Sequence, residues 1–170
     1  MPASQASPTI VVVERMELRR ACLISLLEPW AQSQGLRLVS LSPEQAPSKL
    51  DSGYPCSMLI VGLGGQSVLN RQHLHLLKVL HALGPDLPLV LVSDTAGVDE
   101  VAAALNLGAQ GFVHTEMPPD LAIQAFAFIL SGGSYFPPSA MRQLGQDCGS
   151  RAWLALDPAR PAQLRGPGLH

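Results

Sequence analysis

The sequence predicts an α/β fold, in which a parallel sheet of five strands is covered by helices on both faces. Two observations predict it. Short apolar runs alternate five times with amphipathic stretches, and glycine or proline marks many of the boundaries between them. "TIVVV" (Thr9–Val13) is β-branched and continuously apolar, which is typical of a strand buried on both faces. With right-handed crossovers, these units give a three-layer, doubly wound sheet of flavodoxin type with strand order 2-1-3-4-5.

Each strand is predicted from an apolar run. The five runs are Thr9–Val13, Leu36–Leu41, Ser57–Leu63, Leu87–Ser93 and Gln110–Thr115. The second run alternates apolar and polar residues, which favours a position near an edge of the sheet.

Helical periodicity fills most of the intervals. Helices are predicted over 16–35, 67–84, 97–109 and 118–133, with a short irregular one inside "SPEQAPSKLDSGYP". In the first helix, Leu18, Cys22 and Leu26 recur every four residues, so we expect Cys22 in the core. In the fifth helix, one face is expected to be buried and Phe128 to point outward. The residues of that buried face are Leu121, Ala122, Ala125, Phe126 and Ile129.

The chain is expected to divide into three parts. Residues 1–8 form an N-terminal tail, residues 9–136 a single domain, and residues 137–170 a helix in "PPSAMRQLGQ" followed by an irregular tail. The C-terminal part is too short, too rich in proline and too poor in basic residues to supply a complete helix-turn-helix domain.

Composition narrows the classes of function. Hydrophobic residues make up 47%, charged residues 14%, and the net charge is −2. Such a chain has no electrostatic footprint for nucleic acid or an anionic membrane, so we expect neither partner. No segment approaches the length of a membrane span. The three scattered cysteines predict reduced thiols and a cytoplasmic location.

In a doubly wound sheet, functional residues follow the carboxyl ends of the strands. Here those positions hold Glu14 and Arg15, the glycines of 62–65, and the pairs that begin at Ser93 and Thr115. They include no nucleophile–base pair and no metal-ligand cluster, so we predict no catalytic residue, metal or cofactor. The spacing of the glycines does not match a phosphate-binding motif. A small-molecule or nucleotide site (or an enzyme) at Gly62–Gly65 remains the competing hypothesis.

Two segments, "LGAQGFVHTEMPPDLAIQAF" and "SGGSYFPPSAM", together with strand order and spacing, resemble the receiver domain of bacterial response regulators. The resemblance covers about residues 9–145, and it is greatest to the receivers that precede a LuxR-type helix-turn-helix domain. It implies a phosphorylation pocket with five parts: two acidic residues that hold Mg²⁺, an acceptor Asp, a Ser or Thr, and a Lys.

This chain departs from that pattern at most positions. The acidic pair falls on Glu14 and Arg15, the acceptor on Gly62 (or on Val61 if the register shifts by one), and the lysine on Thr115. Only Ser93 agrees with the pattern. Phe112 stands at the aromatic position that changes rotamer on activation in the family. The resemblance therefore implies a degenerate receiver that forms no aspartyl phosphate.

The roles of two side chains at the strand ends, Arg15 and Ser93, can each be interpreted in two ways. Arg15 either pairs with Glu14 or Asp94 in the vacated pocket or lies solvated at the surface. Ser93 either binds a ligand oxygen or caps a turn of the chain.

Few charges and an outward phenylalanine favour self-association. Receivers commonly dimerise through the fourth helix, fifth strand and fifth helix, or through the first and fifth helices. The candidates here are Val101, Leu105 and Phe128. The sequence thus predicts a non-catalytic signalling module that is independent of phosphorylation. It would act by contact with itself or another regulatory protein, in bacterial transcription control.

Overall fold

A computed structural model gives the structure of the protein and describes residues 7–148. The strands are β1 Thr9–Val13, β2 Arg37–Leu41, β3 Met58–Gly64, β4 Leu89–Ser93 and β5 Gly111–His114. The helices are α1 Glu17–Ser33, α2 Ala46–Asp51, α3 Arg71–Leu83, α4 Val98–Asn106, α5 Pro119–Leu130 and α6 Pro138–Cys148. Every predicted strand and helix is present, including the short helix of the irregular segment.

The five strands form one parallel sheet in the order β2-β1-β3-β4-β5, which confirms the predicted fold. The register between β3 and β4 shifts between Gly62 and Gly64, so the end of β3 is irregular. Beyond β5, Tyr135 makes a single bridge to Gly111 without starting a sixth strand. These two features shape the carboxyl edge and the outer edge of the sheet.

Side chains of alternate strand residues divide between two core layers. On one face, Val11, Leu59 and Leu91 pack beneath α2, α3, α4 and α6. On the other, Ile10, Ile60 and Val90 pack beneath α1 and α5. The strands are therefore continuously apolar because both faces are covered.

The predicted buried face of α1 is wrong by one position. Cys22 and Leu18 are exposed, whereas Leu27 and Ala31 are buried and Leu23 and Ile24 pack partly against the core. Apolar residues occupy nearly the whole middle of this helix, so spacing alone did not select the face. Contact with the sheet and α5 selects it.

The prediction for α5 is mostly confirmed. Ala122, Ala125, Phe126 and Ile129 are buried. Phe128 points outward and is 42% exposed. Leu121 was placed on the buried face, but it is 47% exposed. It precedes Phe128 by seven residues, which is two helical turns, so the two share the outer face.

The fourth helix differs most from expectation. Val101 has no exposed surface and Leu105 is partly buried against the same core layer. Helix α6 packs on α4, and Phe136, Ala140 and Met141 join that layer. Val101 therefore cannot belong to an intermolecular surface, because its side chain is buried inside the domain. In residues 7–148, no helix is long and apolar enough to cross a membrane. The expected tail beyond Cys148 lies outside the described residues.

Candidate functional site: a glycine-floored pocket at the strand ends

The carboxyl ends of β1, β3, β4 and β5 meet at one edge of the sheet, as parallel strands require. Glu14 follows β1, and Gly62 and Gly64 form the end of β3. Asp94 follows β4 and Thr115 follows β5. Glu14, Gly62, Gly64, Asp94 and Thr115 line one small cavity of about 130 Å³. These five residues are among the strand-end positions identified from the sequence, and Arg19, Leu23 and Val92 complete the lining.

Glu14 fills the space above Gly62. Its side chain is only 4% exposed, and its Oε1 accepts a hydrogen bond from the backbone N–H of Met16 at 3.0 Å. A Cβ built on Gly62 would overlap Oε2 of Glu14. The glycine therefore provides the room that the buried carboxylate occupies. A larger residue at position 62 requires that carboxylate to leave.

Arg19 fills the space above Gly64 in a similar way. Its guanidinium lies where a Cβ on Gly64 would stand, and its Nη2 pairs with Oδ2 of Asp94 at 3.2 Å. Gly64 has φ of 61°, a conformation that glycine adopts at little cost. This ion pair joins the first turn of α1 to the end of β4. Both partners are partly exposed, so the pair contributes about 0.2–1 kcal/mol.

Arg15 does not make the ion pair that was one of its two interpretations. It is exposed, and among residues 7–148 it has no salt bridge to Glu14 or Asp94. Arg15 lines the two neighbouring cavities, whereas Arg19, in the first turn of α1, reaches Asp94. Arg20 also contributes, because its Nη1 donates to the backbone oxygen of Glu14 at 3.0 Å.

Ser93 caps a turn, which was the second of its two interpretations. It is fully buried, and its Oγ accepts the backbone N–H of Thr95 at 3.2 Å and lies 3.3 Å from the Thr95 hydroxyl. His114 tightens the same loop, since its Nε2 lies 2.9 Å from the backbone oxygen of Asp94. Thr115 is exposed at the rim of the cavity.

Phe112 lies wholly inside the core layer beneath α4. Cys56, which precedes β3, is partly buried, and its thiol contacts the backbone oxygen of Met58 at 3.3 Å. Burial raises the pKa of this thiol to about 11. The backbone hydrogen bonds lower it only in part, so Cys56 is a thiol at neutral pH.

A carboxylate from α4 holds the loop between β3 and α3. Glu100 accepts a hydrogen bond from the hydroxyl of Ser67 through Oε1, and another from the N–H of Val68 through Oε2 at 2.6 Å. His73 lies 3.0 Å from the backbone oxygen of Ser67 through its Nδ1. Sequence reasoning missed Glu100, Arg19 and His73 as parts of the site, because nothing local signals a contact between distant segments.

The donor set does not suit the Mg²⁺ that the resemblance implies. Mg²⁺ binds through oxygen ligands, most often carboxylates. Here the carboxylate of Glu14 is tied to Met16, and guanidinium groups of Arg15 and Arg19 line the neighbouring space. The described part of the chain has no cluster of three or more His, Cys, Asp or Glu residues that could hold a metal ion.

The fold of this chain is that of receiver domains in solved structures of response regulators. The structure resembles a LuxR-family DNA-binding response regulator from Silicibacter pomeroyi (TM-score 0.66, 23% identity), covering 78% of this chain and 98% of that one. It also resembles the isolated REC domain of RcsB from Salmonella enterica serovar Typhimurium (0.65, 17%), covering 81% and 98%. A putative pilus assembly protein from Burkholderia thailandensis matches as well (0.61, 20%), with 73% and 98% covered.

These similarities establish the receiver fold for this chain. The sequence itself matches no protein-family model and no curated protein. The resemblance drawn from "LGAQGFVHTEMPPDLAIQAF" and "SGGSYFPPSAM" is therefore confirmed at the level of the fold.

Proposed function

We propose that this chain is a degenerate receiver: a non-catalytic signalling module whose conformation does not depend on phosphorylation. It acts through contacts with a second copy of itself or with another regulatory protein, in bacterial transcription control. The cytoplasmic location that the unpaired, scattered cysteines predict is part of the proposal.

One observation carries the proposal. At the end of β3, Gly62 carries no acceptor, and the space where an acceptor side chain would begin holds the carboxylate of Glu14. A phosphoryl group needs a nucleophilic carboxylate and cations that neutralise its charge during transfer. Glu14 is buried against Gly62 and bonded to Met16, so its carboxylate is not presented to solvent as an acceptor would be.

The charges around the pocket support the same conclusion. In receivers, according to the family pattern, a metal ion and a lysine compensate acidic side chains. Here Arg19 already pairs with Asp94, and Thr115 stands at the lysine position. A protein cation thus compensates the charge of the carboxylate at the end of β4.

Phosphorylation is tested with radiolabelled acetyl phosphate and Mg²⁺. We expect no covalent acyl phosphate label on the full chain. The REC domain of RcsB serves as the reference protein under the same conditions. Asp94→Asn is the matched control, because Asp94 is an exposed carboxylate at the strand ends. Stoichiometric label on the wild-type chain would refute the proposal, and loss of that label in Asp94→Asn would identify the acceptor.

Self-association is the second part of the proposal. Phe128 and Leu121 leave an apolar strip on the outer face of α5, and a domain with so few charges gains by covering it. Helix α4 contributes little to this surface, since α6 covers it. Light scattering across micromolar concentrations tests this part independently of the label, and a strictly monomeric chain would exclude it.

A further inference from the structure

Two larger cavities lie next to the cavity of about 130 Å³, at the carboxyl ends of β1 and β3. Their volumes are about 550 Å³ and 390 Å³, and both are lined by Arg15, Gly62 and His73. The larger cavity lies between the turn after β1, the segment after β2 and the start of α3. The smaller one lies between the start of α1, the end of β3 and the loop that follows β3. In this strand order the helices change faces between β1 and β3, which is where doubly wound folds bind ligands.

Arg15 supplies an uncommitted positive charge to both cavities. Arg19 is paired with Asp94 and Arg20 with the backbone of Glu14, but Arg15 has no carboxylate within salt-bridge distance among residues 7–148. Glu44 lines the larger cavity, yet it forms no salt bridge with Arg15. The guanidinium can therefore turn to a ligand anion without breaking an existing ion pair.

His73 supplies a second polar group with a defined orientation. Its Nδ1 lies 3.0 Å from the backbone oxygen of Ser67, and because a carbonyl oxygen only accepts, Nδ1 carries the hydrogen. Ser67 is itself held by Glu100. The ring is thus fixed at one nitrogen, and in the neutral ring Nε2 is an acceptor that suits a hydroxyl or N–H group of a ligand in either cavity.

The remainder of the larger cavity is mostly apolar. Its apolar lining residues are Pro43, Pro47, Val61, Leu76 and Val79. A volume of this size matches small-molecule sites, which combine apolar walls with a few oriented polar groups. The apolar walls favour a hydrocarbon body. Glu44, on the same lining, disfavours ligands of high negative charge.

We propose that this pair of cavities binds a small organic acid, with its carboxylate at Arg15 and an apolar body against Val61 and Leu76. Binding would give the module an input that needs no phosphoryl group. That regulatory meaning rests on the proposed function, but the binding itself does not.

The test is a two-dimensional ¹H–¹⁵N NMR titration of the full chain. The probes are phenylacetate, 3-phenylpropionate and 4-phenylbutyrate, each compared with its uncharged amide, and inorganic phosphate as an anion without an apolar body. We expect at least one acid to shift the signals of Gly62 and Gly65 saturably, with a dissociation constant about tenfold or more below that of its amide. Phosphate should bind more weakly than that acid.

Two variants locate the binding. Arg15→Gln should raise the dissociation constant of the acid about tenfold, because it removes a charge-assisted hydrogen bond. Arg71→Gln removes the same charge from an exposed position beside the cavity, outside both linings, and should leave the affinity within about twofold. The inference would be overturned if acids and amides bound equally, or if no signal shifted saturably. It would also be overturned if the two variants had equal effects, or if phosphate bound as tightly as the acids. Label from acetyl phosphate would instead refute the proposed function and leave this result standing.

Discussion

Two glycines set the chemistry of the strand-end pocket by leaving room for side chains from other elements. Glu14 occupies the space above Gly62, and Arg19 occupies the space above Gly64. Each of these side chains is also tied to a second partner, so it cannot move aside without losing a contact. The identity of residues 62 and 64 therefore decides which groups the pocket contains.

We expect Gly62→Ala to destabilise the domain by about 1–3 kcal/mol, because the new methyl group displaces a buried carboxylate from its bond to Met16. In a Glu14→Ala background the same change should cost at least about 1 kcal/mol less. Urea unfolding of the four proteins measures this coupling. Gly65→Ala is the control, since its Cβ would meet Asp94 at an ordinary 3.6 Å. An equal cost of Gly62→Ala in both backgrounds would show that Glu14 is not the obstacle.

The thiols of Cys22 and Cys56 should differ strongly in reactivity. Burial raises the pKa of Cys56 to about 11, so its reactive thiolate falls tenfold for each pH unit below that value. Cys22 is exposed on α1. In a Cys148→Ser background, iodoacetamide at pH 8 should label Cys22 well before Cys56, as measured by peptide mass spectrometry. Equal rates for the two peptides would contradict the burial of Cys56.

At the scale of elements, α4 connects two parts of the domain. Its Glu100 holds the loop before α3, while its apolar side packs under α6. The bonds of Glu100 satisfy a hydroxyl and a backbone N–H that would otherwise need other partners. A shift of α4 would therefore disturb both the loop that positions His73 and the contact with the C-terminal helix.

Glu100→Ala should lower the free energy of unfolding by about 2 kcal/mol, because it removes two charge-assisted hydrogen bonds. Hydrogen exchange at Val68 should also become faster. Asp99→Ala is the matched control: Asp99 is an exposed acid in the same first turn of α4, and its loss should cost less than about 0.5 kcal/mol. If both variants lower the free energy of unfolding equally, the hydrogen bonds from Ser67 and Val68 to Glu100 contribute nothing beyond the interaction of an acid with the helix dipole.

At the scale of the whole molecule, two of the exposed large apolar side chains lie together on one helix face. Phe128 and Leu121 share the outer face of α5, while the ring of Phe128 also rests over Gly133. Phe126, two residues earlier, is 1% exposed in the core. Neighbouring phenylalanines of one helix thus have opposite surroundings, which allows association to be separated from folding.

Phe128→Asp should give a folded monomer, because a charge at a partly exposed site removes an apolar contact between molecules without entering the core. Phe126→Asp should give an unfolded or aggregated product, because it buries an unpaired carboxylate. Light scattering and circular dichroism distinguish these outcomes. Unfolding of Phe128→Asp would place Phe128 among the residues that stabilise the domain itself. A wild-type protein that is folded and already monomeric would exclude the interface.

The sequence by itself determined the architecture. Apolar runs and helical periodicity are local properties, so they located five strands and their helices, and the rules of parallel connection ordered them as 2-1-3-4-5. The departure from the receiver pattern at Arg15, Gly62 and Thr115 is equally visible in the sequence, because it depends only on residue identity at positions that the fold brings together.

The tertiary structure alone decided which side chains meet. Arg19 and Asp94 are 75 residues apart, and Ser67 and Glu100 are 33 apart, so no local pattern predicts either contact. Packing likewise chose the buried face of α1 and enclosed Val101 beneath α6. Periodicity shows that a helix has an apolar side, but where apolar residues cover most of its circumference, only the surface against which it packs determines which of them are buried.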